Sequence, residues 1–168
     1  MSDESGVGAS LGRFIERLGL YFEEFGLPRI AGRLFGLLLV ADTPLSLDQV
    51  ATMLHVSRAS VSTNARLVVA TGLVERVSLP GDRRDYYAFS GRSWDALIET
   101  DVRGAATLRQ FAADALAGLG TAEASARPRL EAAADFLDFY TRELGAILAR
   151  WRARACEPGQ PAAEPHRD

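Results

Sequence analysis

The sequence predicts a mainly α-helical fold with a small β-wing: a winged helix-turn-helix flanked by N- and C-terminal dimerisation helices. Three observations predict this architecture. Apolar residues recur every three or four positions over most of the chain. Two short helical segments, residues 47–54 and 57–71, are separated by a very tight connection. A hairpin pattern with a charged tip, residues 73–89, follows directly.

Before the helix-turn-helix, residues 1–9 are expected to form a disordered lead and residues 10–27 an N-terminal dimerisation helix. The apolar residues of that helix are spaced as one face, and Gly26 suits its end. Pro28 then fits the first position of the next helix, where the DNA-binding domain, residues 28–91, begins. The residues of the predicted face are Leu11, Phe14, Ile15, Leu18, Phe22 and Phe25.

Serine residues mark the starts of the two short helices. Ser46 is a candidate N-cap for residues 47–54, and Ser57 for the second helix, which Gly72 is expected to close. The first helix is expected to bury Val50, Ala51 and Leu54. The β-prone segments 73–79 and 86–89 follow, with Pro80-Gly81 as the centre of a type II turn.

Residues 92–155 are predicted to form C-terminal dimerisation helices, broken near residues 118–120 and capped near Thr121 or Ser125. The last helix repeats apolar residues every seven positions, a seam that requires a partner. The residues from 156 to 168 are expected to be a disordered tail. The seam consists of Leu130, Leu137, Leu144 and Trp151, with Ala133 or Ala134, Tyr140 and Ile147 between them.

The charge distribution predicts a locally basic surface on a protein that is acidic elsewhere. The chain carries a net charge of −3, yet residues 57–92 contain six arginines and three acids. Attraction to phosphate acts over about 8 Å at physiological salt, so a local excess of positive charge is sufficient for DNA binding.

Other classes of protein find little support in the sequence. No apolar run approaches a membrane span, and the acidic N-terminus resembles no secretory signal, which favours the cytoplasm. A lone cysteine, Cys156, and two histidines, His55 and His166, predict neither a disulfide nor a metal site, and Cys156 is expected to be an indifferent surface thiol. No catalytic motif or cofactor-binding loop is present, so we expect neither an enzyme nor a cofactor.

The outer face of the second short helix supplies candidate DNA contacts. Val61, Ala65 and Val68 are spaced to face the core, which leaves polar residues for the major groove. Arginine suits guanine, and hydroxyl groups suit bases or phosphates. Asn64 either reads a base or bonds the local backbone. The candidates are Ser57, Arg58, Ser60, Ser62, Thr63, Asn64 and Arg66.

The wing supplies a second set of candidates. Arg83 and Arg84 are expected to reach the flanking minor groove or its phosphates. Gly81 and Asp82 are expected to structure the turn, with Asp82 holding an arginine or capping turn amides.

The chain resembles the MarR superfamily of winged-helix regulators, and more closely its GbsR-like branch. The resemblance covers about residues 32–90 and rests on four blocks, the most specific being a glycine followed by a wing with Asp-x-Arg. It implies a DNA-binding homodimer, often a repressor released by a small ligand, and the branch is associated with osmoprotectants. The blocks are residues 32–39, 44–51, 56–66 and 72–87.

The sequence therefore favours a sequence-specific regulator of transcription that binds double-stranded DNA at an inverted-repeat operator, and the resemblance implies that it is a repressor. The alternative is a winged helix used for protein contacts or as an architectural module. A set of aromatic residues either lines an effector pocket that suits quaternary ammonium or belongs to the core. These are Tyr21, Phe22, Phe25, Phe35, Trp94, Phe111, Phe136, Phe139, Tyr140 and Trp151.

Overall fold

The computed structural model describes residues 8–91 and 93–155. The chain divides into two compact units, residues 1–93 and 94–168. Most of the expected lead, Arg92 and the whole expected tail with Cys156 and His166 lie outside the described residues. Within the described ranges, none of the helices combines the length and apolar character that crossing a membrane requires.

The first unit begins with two helices packed on each other, α1 (Ala9–Glu24) and α2 (Arg29–Val40). α1 begins inside the predicted lead, and Pro28 is the N-cap of α2 instead of its first residue. Gly26 ends α1 with a φ of 73°, as predicted.

The apolar face predicted for α1 is only partly covered in the single chain. Ile15 is buried, and Leu18 and Phe22 pack partly against the core. Phe14 and Phe25 are 37% and 67% exposed, and Leu11 is also exposed. The part of this face formed by Ile15, Leu18 and Phe22 packs on α2, while the rest of it stays exposed.

α1 and α2 approach closely at glycines. A Cβ atom on Gly32 would lie 2.4 Å from the carbonyl oxygen of Leu18, and one on Gly19 would lie 2.7 Å from Cγ of Arg33. Arg33 also links α1 to the next helix, since its Nε lies 2.7 Å from Glu16 and its Nη2 donates to the carbonyl of Leu54. α1 is thus an integral part of the first unit.

The helix-turn-helix consists of α3 (Leu47–Leu54) and α4 (Arg58–Ala70). Ser46 caps α3 as predicted, in a capping box completed by Gln49. Val50 and Leu54 are buried, whereas Ala51 is only partly so. The connection turns at His55, whose φ of 53° places it in the left-handed region, and Gly72 follows α4 with a φ of 76°.

The wing belongs to a three-stranded antiparallel sheet with the order β1-β3-β2, formed by β1 (Leu45–Ser46), β2 (Val74–Val77) and β3 (Tyr86–Phe89). The turn after β2 has the predicted type II features: Asp82 N–H donates to the carbonyl of Leu79, and Gly81 has a φ of 78°. The sequence did not predict β1, since two residues are too short to show a period.

The core of the first unit lies under α2, α3, α4 and the sheet. Leu34, Leu37 and Leu38 of α2 are almost completely buried, and they pack in one cluster with Val61 and Val74. α4 and the wing are therefore supported by a common set of apolar contacts.

The second unit is helical, as predicted, with α5 (Ser93–Gly118), a 3-10 turn (Thr121–Ala126) and α6 (Arg127–Ala155). Arg109 of α5 binds Asp138 of α6 at 3.1 Å. Arg152 pairs in the same way with Asp95 and Glu99.

The predicted seam of α6 is only partly exposed in a single chain. Ala134 is buried, and Leu137 and Leu144 are half-buried. Trp151 remains 37% exposed and Ile147 42%. Phe136 and Phe139, which lie outside the predicted seam, are more exposed still.

Candidate nucleic-acid interface

α4 has a buried face and a polar outer face. Val61, Ala65 and Val68 are each 1% exposed or less, as predicted. The outer candidates divide by exposure: Ser57, Arg58, Thr63 and Arg66 are exposed, whereas Ser60 and Ser62 are half-buried. Ser57 caps the helix, since its Oγ accepts a hydrogen bond from the N–H of Ser60.

Asn64 is separated from the other candidates by burial. The residue is 7% exposed, and its Nδ2 donates to the carbonyl of Ser60 at 2.8 Å. The sequence allowed Asn64 either to read a base or to bond the local backbone, and the structure has the backbone bond. Asn64 therefore does not belong to the exposed polar face.

Two of the arginines in this region form ion pairs with carboxylates on neighbouring segments. Arg58 Nε lies 2.9 Å from Asp48 of α3, and Arg76 of β2 lies 2.6 Å from Asp85. Sequence reasoning missed Asp48, which lies before the basic segment, and no spacing rule would have paired it with α4. These carboxylates reduce the local positive potential.

Arg66 and Arg83 differ from these arginines. Both are exposed, and within residues 8–91 and 93–155 neither forms an ion pair or a hydrogen bond. Their charge is consequently available to an external anion.

At the tip of the wing, Asp82 forms both arrangements that the sequence suggested, since it caps a turn amide and holds the side chain of Arg84. Oδ1 of Asp82 accepts from the backbone N–H of Arg84 at 2.9 Å. The side-chain Nε and Nη2 of Arg84 donate to Oδ2 at 2.9 and 2.5 Å. The Arg84 hydrogen bonds hold the pKa of the Asp82 carboxyl well below its usual range.

Tyr86 is a third member of this group that the sequence analysis missed. Its hydroxyl donates to Asp82 Oδ2 at 2.8 Å and accepts from Arg84 Nη2 at 2.7 Å. The hydrogen bond to Asp82 raises the pKa of Tyr86. Arg84 precedes β3, so the alternation of side chains along a strand gave no signal for this contact.

The start of the helix-turn-helix and the wing border one polar cleft. Its lining includes Arg58 at the start of α4 and Arg83 and Arg84 from the wing, together with Asp48 and Asp85. The two sets of candidates, separate in sequence, therefore meet on one surface.

The aromatic residues that the sequence offered for an effector pocket or for the core differ in burial. Phe35 is buried and Phe22 stacks near it at 6.1 Å, so both belong to the core of the first unit. Most of the others are exposed, including Tyr21, Phe111 and Trp151. In the described part of the chain, no three His, Cys, Asp or Glu side chains are grouped so that they would hold a metal ion.

Comparison with known proteins identifies the family of this chain. Residues 25–85 match the MarR family, and residues 92–154 match the group described as MmpR5-like MarR family transcriptional regulators. The HTH-type transcriptional regulator MmpR5 of Mycobacterium tuberculosis (strain ATCC 25618 / H37Rv) is 35% identical over 156 residues, which are 92% of this chain and 94% of that protein.

A solved structure agrees with the sequence matches. One solved structure is the crystal structure of a transcriptional regulator whose sequence is 35% identical to this chain. The two structures superpose with a TM-score of 0.80, and the match covers 86% of this chain and 99% of the other. The GbsR-like branch stays a prediction, since these matches identify the wider family. The chain belongs to the MarR family of winged-helix proteins and is a DNA-binding transcription regulator.

Proposed function

We propose that the chain is a cytoplasmic, homodimeric repressor that binds an inverted-repeat operator in double-stranded DNA. The observation that carries this proposal is the shared cleft between the start of α4 and the wing, where arginines of both elements converge. A recognition helix and a wing on one surface can contact a major groove and its flank at the same time.

α4 is assigned to the major groove. Arg58 and Arg66 have the donor pairs that suit O6 and N7 of guanine, and Thr63 is an exposed hydroxyl between them. Ser57, Ser60 and Ser62 supply further hydroxyl groups for bases or phosphates. The buried Asn64 is left out of the proposed contacts.

Arg83 and Arg84 are assigned to the flanking minor groove or its phosphates. A narrow, A·T-rich minor groove concentrates negative potential and attracts arginine. Gly81 supports this arrangement through the positive φ of the turn, and Asp82 through its bonds to Arg84.

Dimerisation is proposed from the apolar side chains that remain exposed on three helices. Leu11 and Tyr21 on α1, Leu108 on α5, and Phe136 and Ile147 on α6 each expose more than two fifths of their surface. Exposed apolar surface on this scale is typical of interfaces. Two recognition helices related by a twofold axis predict half-sites about one helical turn apart.

Gel-shift titration of the full chain tests this proposal, with a fragment from its own upstream region and excess bulk DNA as competitor. We expect a specific complex containing two chains, and Arg66→Ala should weaken it more than Arg129→Ala, a matched change on α6. Equal binding to all sequences would instead indicate an architectural role, and absence of binding would favour a protein-contact module.

A small-molecule effector is also part of the proposal, as the GbsR-like resemblance implies. The first compound to test is a quaternary ammonium osmoprotectant, because exposed aromatic faces bind such cations. We expect it to dissociate the complex with DNA in the same gel-shift assay, whereas an unchanged complex would remove this class of effector.

A further inference from the structure

Tyr86 is paired with a neighbouring strand on both of its sides. It lies in β3, the middle strand of the sheet, opposite Ser46 of β1 on one side and Val77 of β2 on the other. The residue is only 7% exposed. Ser46 is also the N-cap of α3, so the backbone around Tyr86 is fixed relative to the helix-turn-helix.

From this position, the Tyr86 side chain contacts both members of the ion pair at the wing tip. Its hydroxyl bonds to Asp82 and Arg84 at 2.8 and 2.7 Å. The guanidinium carbon of Arg84 also lies 5.5 Å from the centroid of the tyrosine ring, within cation–π range. Arg84 is therefore held by a carboxylate, a hydroxyl and an aromatic ring.

These contacts leave a defined part of Arg84 for a ligand. A guanidinium has five N–H donors. Nε and one Nη2 hydrogen bind Asp82, and the other Nη2 hydrogen binds Tyr86. Nη1 has no acceptor in the described part of the chain, and the Arg84 side chain is 60% exposed. Its two hydrogens form the free edge of the side chain.

We infer that Tyr86 is a positioning residue for DNA binding, which orients Arg84 so that only the Nη1 edge is offered to the minor groove. This inference rests on the proposed function of the wing. The fork of Nη1 and Nη2 that reads guanine is unavailable, whereas a single edge suits the O2 and N3 acceptors that minor grooves share. Arg84 then senses groove shape and potential more than base identity.

The experiment compares Tyr86→Phe with Tyr87→Phe in the full-length protein. Tyr87 is the adjacent residue, also 7% exposed, and its hydroxyl forms no hydrogen bond within the described ranges. We expect Tyr86→Phe to weaken operator binding about fivefold, the scale of one ordinary hydrogen bond, and Tyr87→Phe to leave it nearly unchanged. In an Arg84→Ala background the effect of Tyr86→Phe should vanish.

An NMR measurement on the protein without DNA separates this inference from the proposed function. The Nε–H proton of Arg84 should exchange more rapidly with solvent in Tyr86→Phe than in the unaltered protein or in Tyr87→Phe. If the unaltered protein does not distinguish the operator from bulk DNA, the proposed function fails, while this comparison still tests the positioning of Arg84.

Two results would overturn the inference: unchanged operator affinity in Tyr86→Phe, or an equal loss with and without Arg84. Arg84→Lys provides an independent check if Tyr86→Phe does not fold. Lysine keeps the charge but cannot bind Asp82 and Tyr86 through one planar group, so we expect Arg84→Lys to bind the operator more weakly than the unaltered protein does. Binding equal to that of the unaltered protein would contradict a positioned edge.

Discussion

Arg58, the first residue of α4, binds Asp48 in the first turn of α3, with 2.9 Å between Nε and Oδ1. Their side chains are 64% and 61% exposed, so the pair contributes little to stability. Asp48 also raises the pKa of Arg84, after the larger effects of Asp82 and Tyr86. One carboxylate thus lowers the positive potential at both the helix and the wing.

Asp48→Asn is predicted to increase DNA affinity, because it removes a negative charge from the proposed interface. The expected increase is severalfold and larger at low salt, since exposed charges are screened over about a Debye length. Asp101→Asn, an exposed change of the same charge on α5, is the control. An equal increase in both variants, measured by fluorescence anisotropy, would indicate a general effect of net charge.

Arg83→Ala is predicted to flatten the salt dependence of DNA binding. Each phosphate contact that is lost should reduce the slope of log K against log salt by about 1. Arg129→Ala on α6 removes the same charge far along the chain and should leave the slope unchanged. Arg84→Ala should also flatten the slope, and a slope unaffected by either wing substitution would argue against wing contacts with phosphate.

Asp82 is predicted to remain ionised below the ordinary aspartate pKa of about 3.9, because hydrogen bonds from Arg84 and Tyr86 lower its pKa. A lowered pKa in the folded state gives stability that is present above the ordinary value and is lost as the pH falls through the lowered one. NMR titration of the Asp82 carboxyl carbon measures this pKa. Arg84→Ala should return the pKa towards the ordinary value, and an unchanged midpoint would refute the pairing.

Gly32→Ala is predicted to destabilise the first unit by about 1–3 kcal/mol, the usual range for overpacking. The added Cβ would lie 2.4 Å from a backbone oxygen of α1, which cannot move as a flexible side chain would. Gly12→Ala is the matched control, since nothing lies within 4 Å of its Cβ position. It should stabilise α1 by up to about 1 kcal/mol. Urea unfolding distinguishes the two variants, and equal stabilities would contradict the close packing.

Local signals in the sequence were sufficient for much of the fold. Ser46 and Ser57 mark the starts of α3 and α4 because an N-cap must satisfy nearby N–H groups. Pro80 and Gly81 predict the wing turn for a similar reason: proline restricts one backbone angle and glycine permits a positive φ at the next. Both rules act within a few residues, so no knowledge of the rest of the chain is required.

The candidate site was only partly predictable. The predicted burial of Val61, Ala65 and Val68 is confirmed, and this prediction identified the outer face of α4. Asn64 remained ambiguous, because an amide at the margin of a helical stripe can lie on either side. The predicted face of α1 is only partly covered in the single chain, because helical spacing alone cannot say which of its residues pack on α2.

The sequence by itself determined the helix-turn-helix, the wing and the surplus of arginine in this region, because caps, turns and periodicity are local properties. Only the tertiary structure decided which of those arginines remain free. Asp48 meets Arg58 because α3 and α4 pack across the turn, and Arg76 meets Asp85 because the pairing of β2 with β3 brings them together. Ion pairs depend on distances of a few ångström between residues that packing brings together, and sequence spacing does not specify those distances.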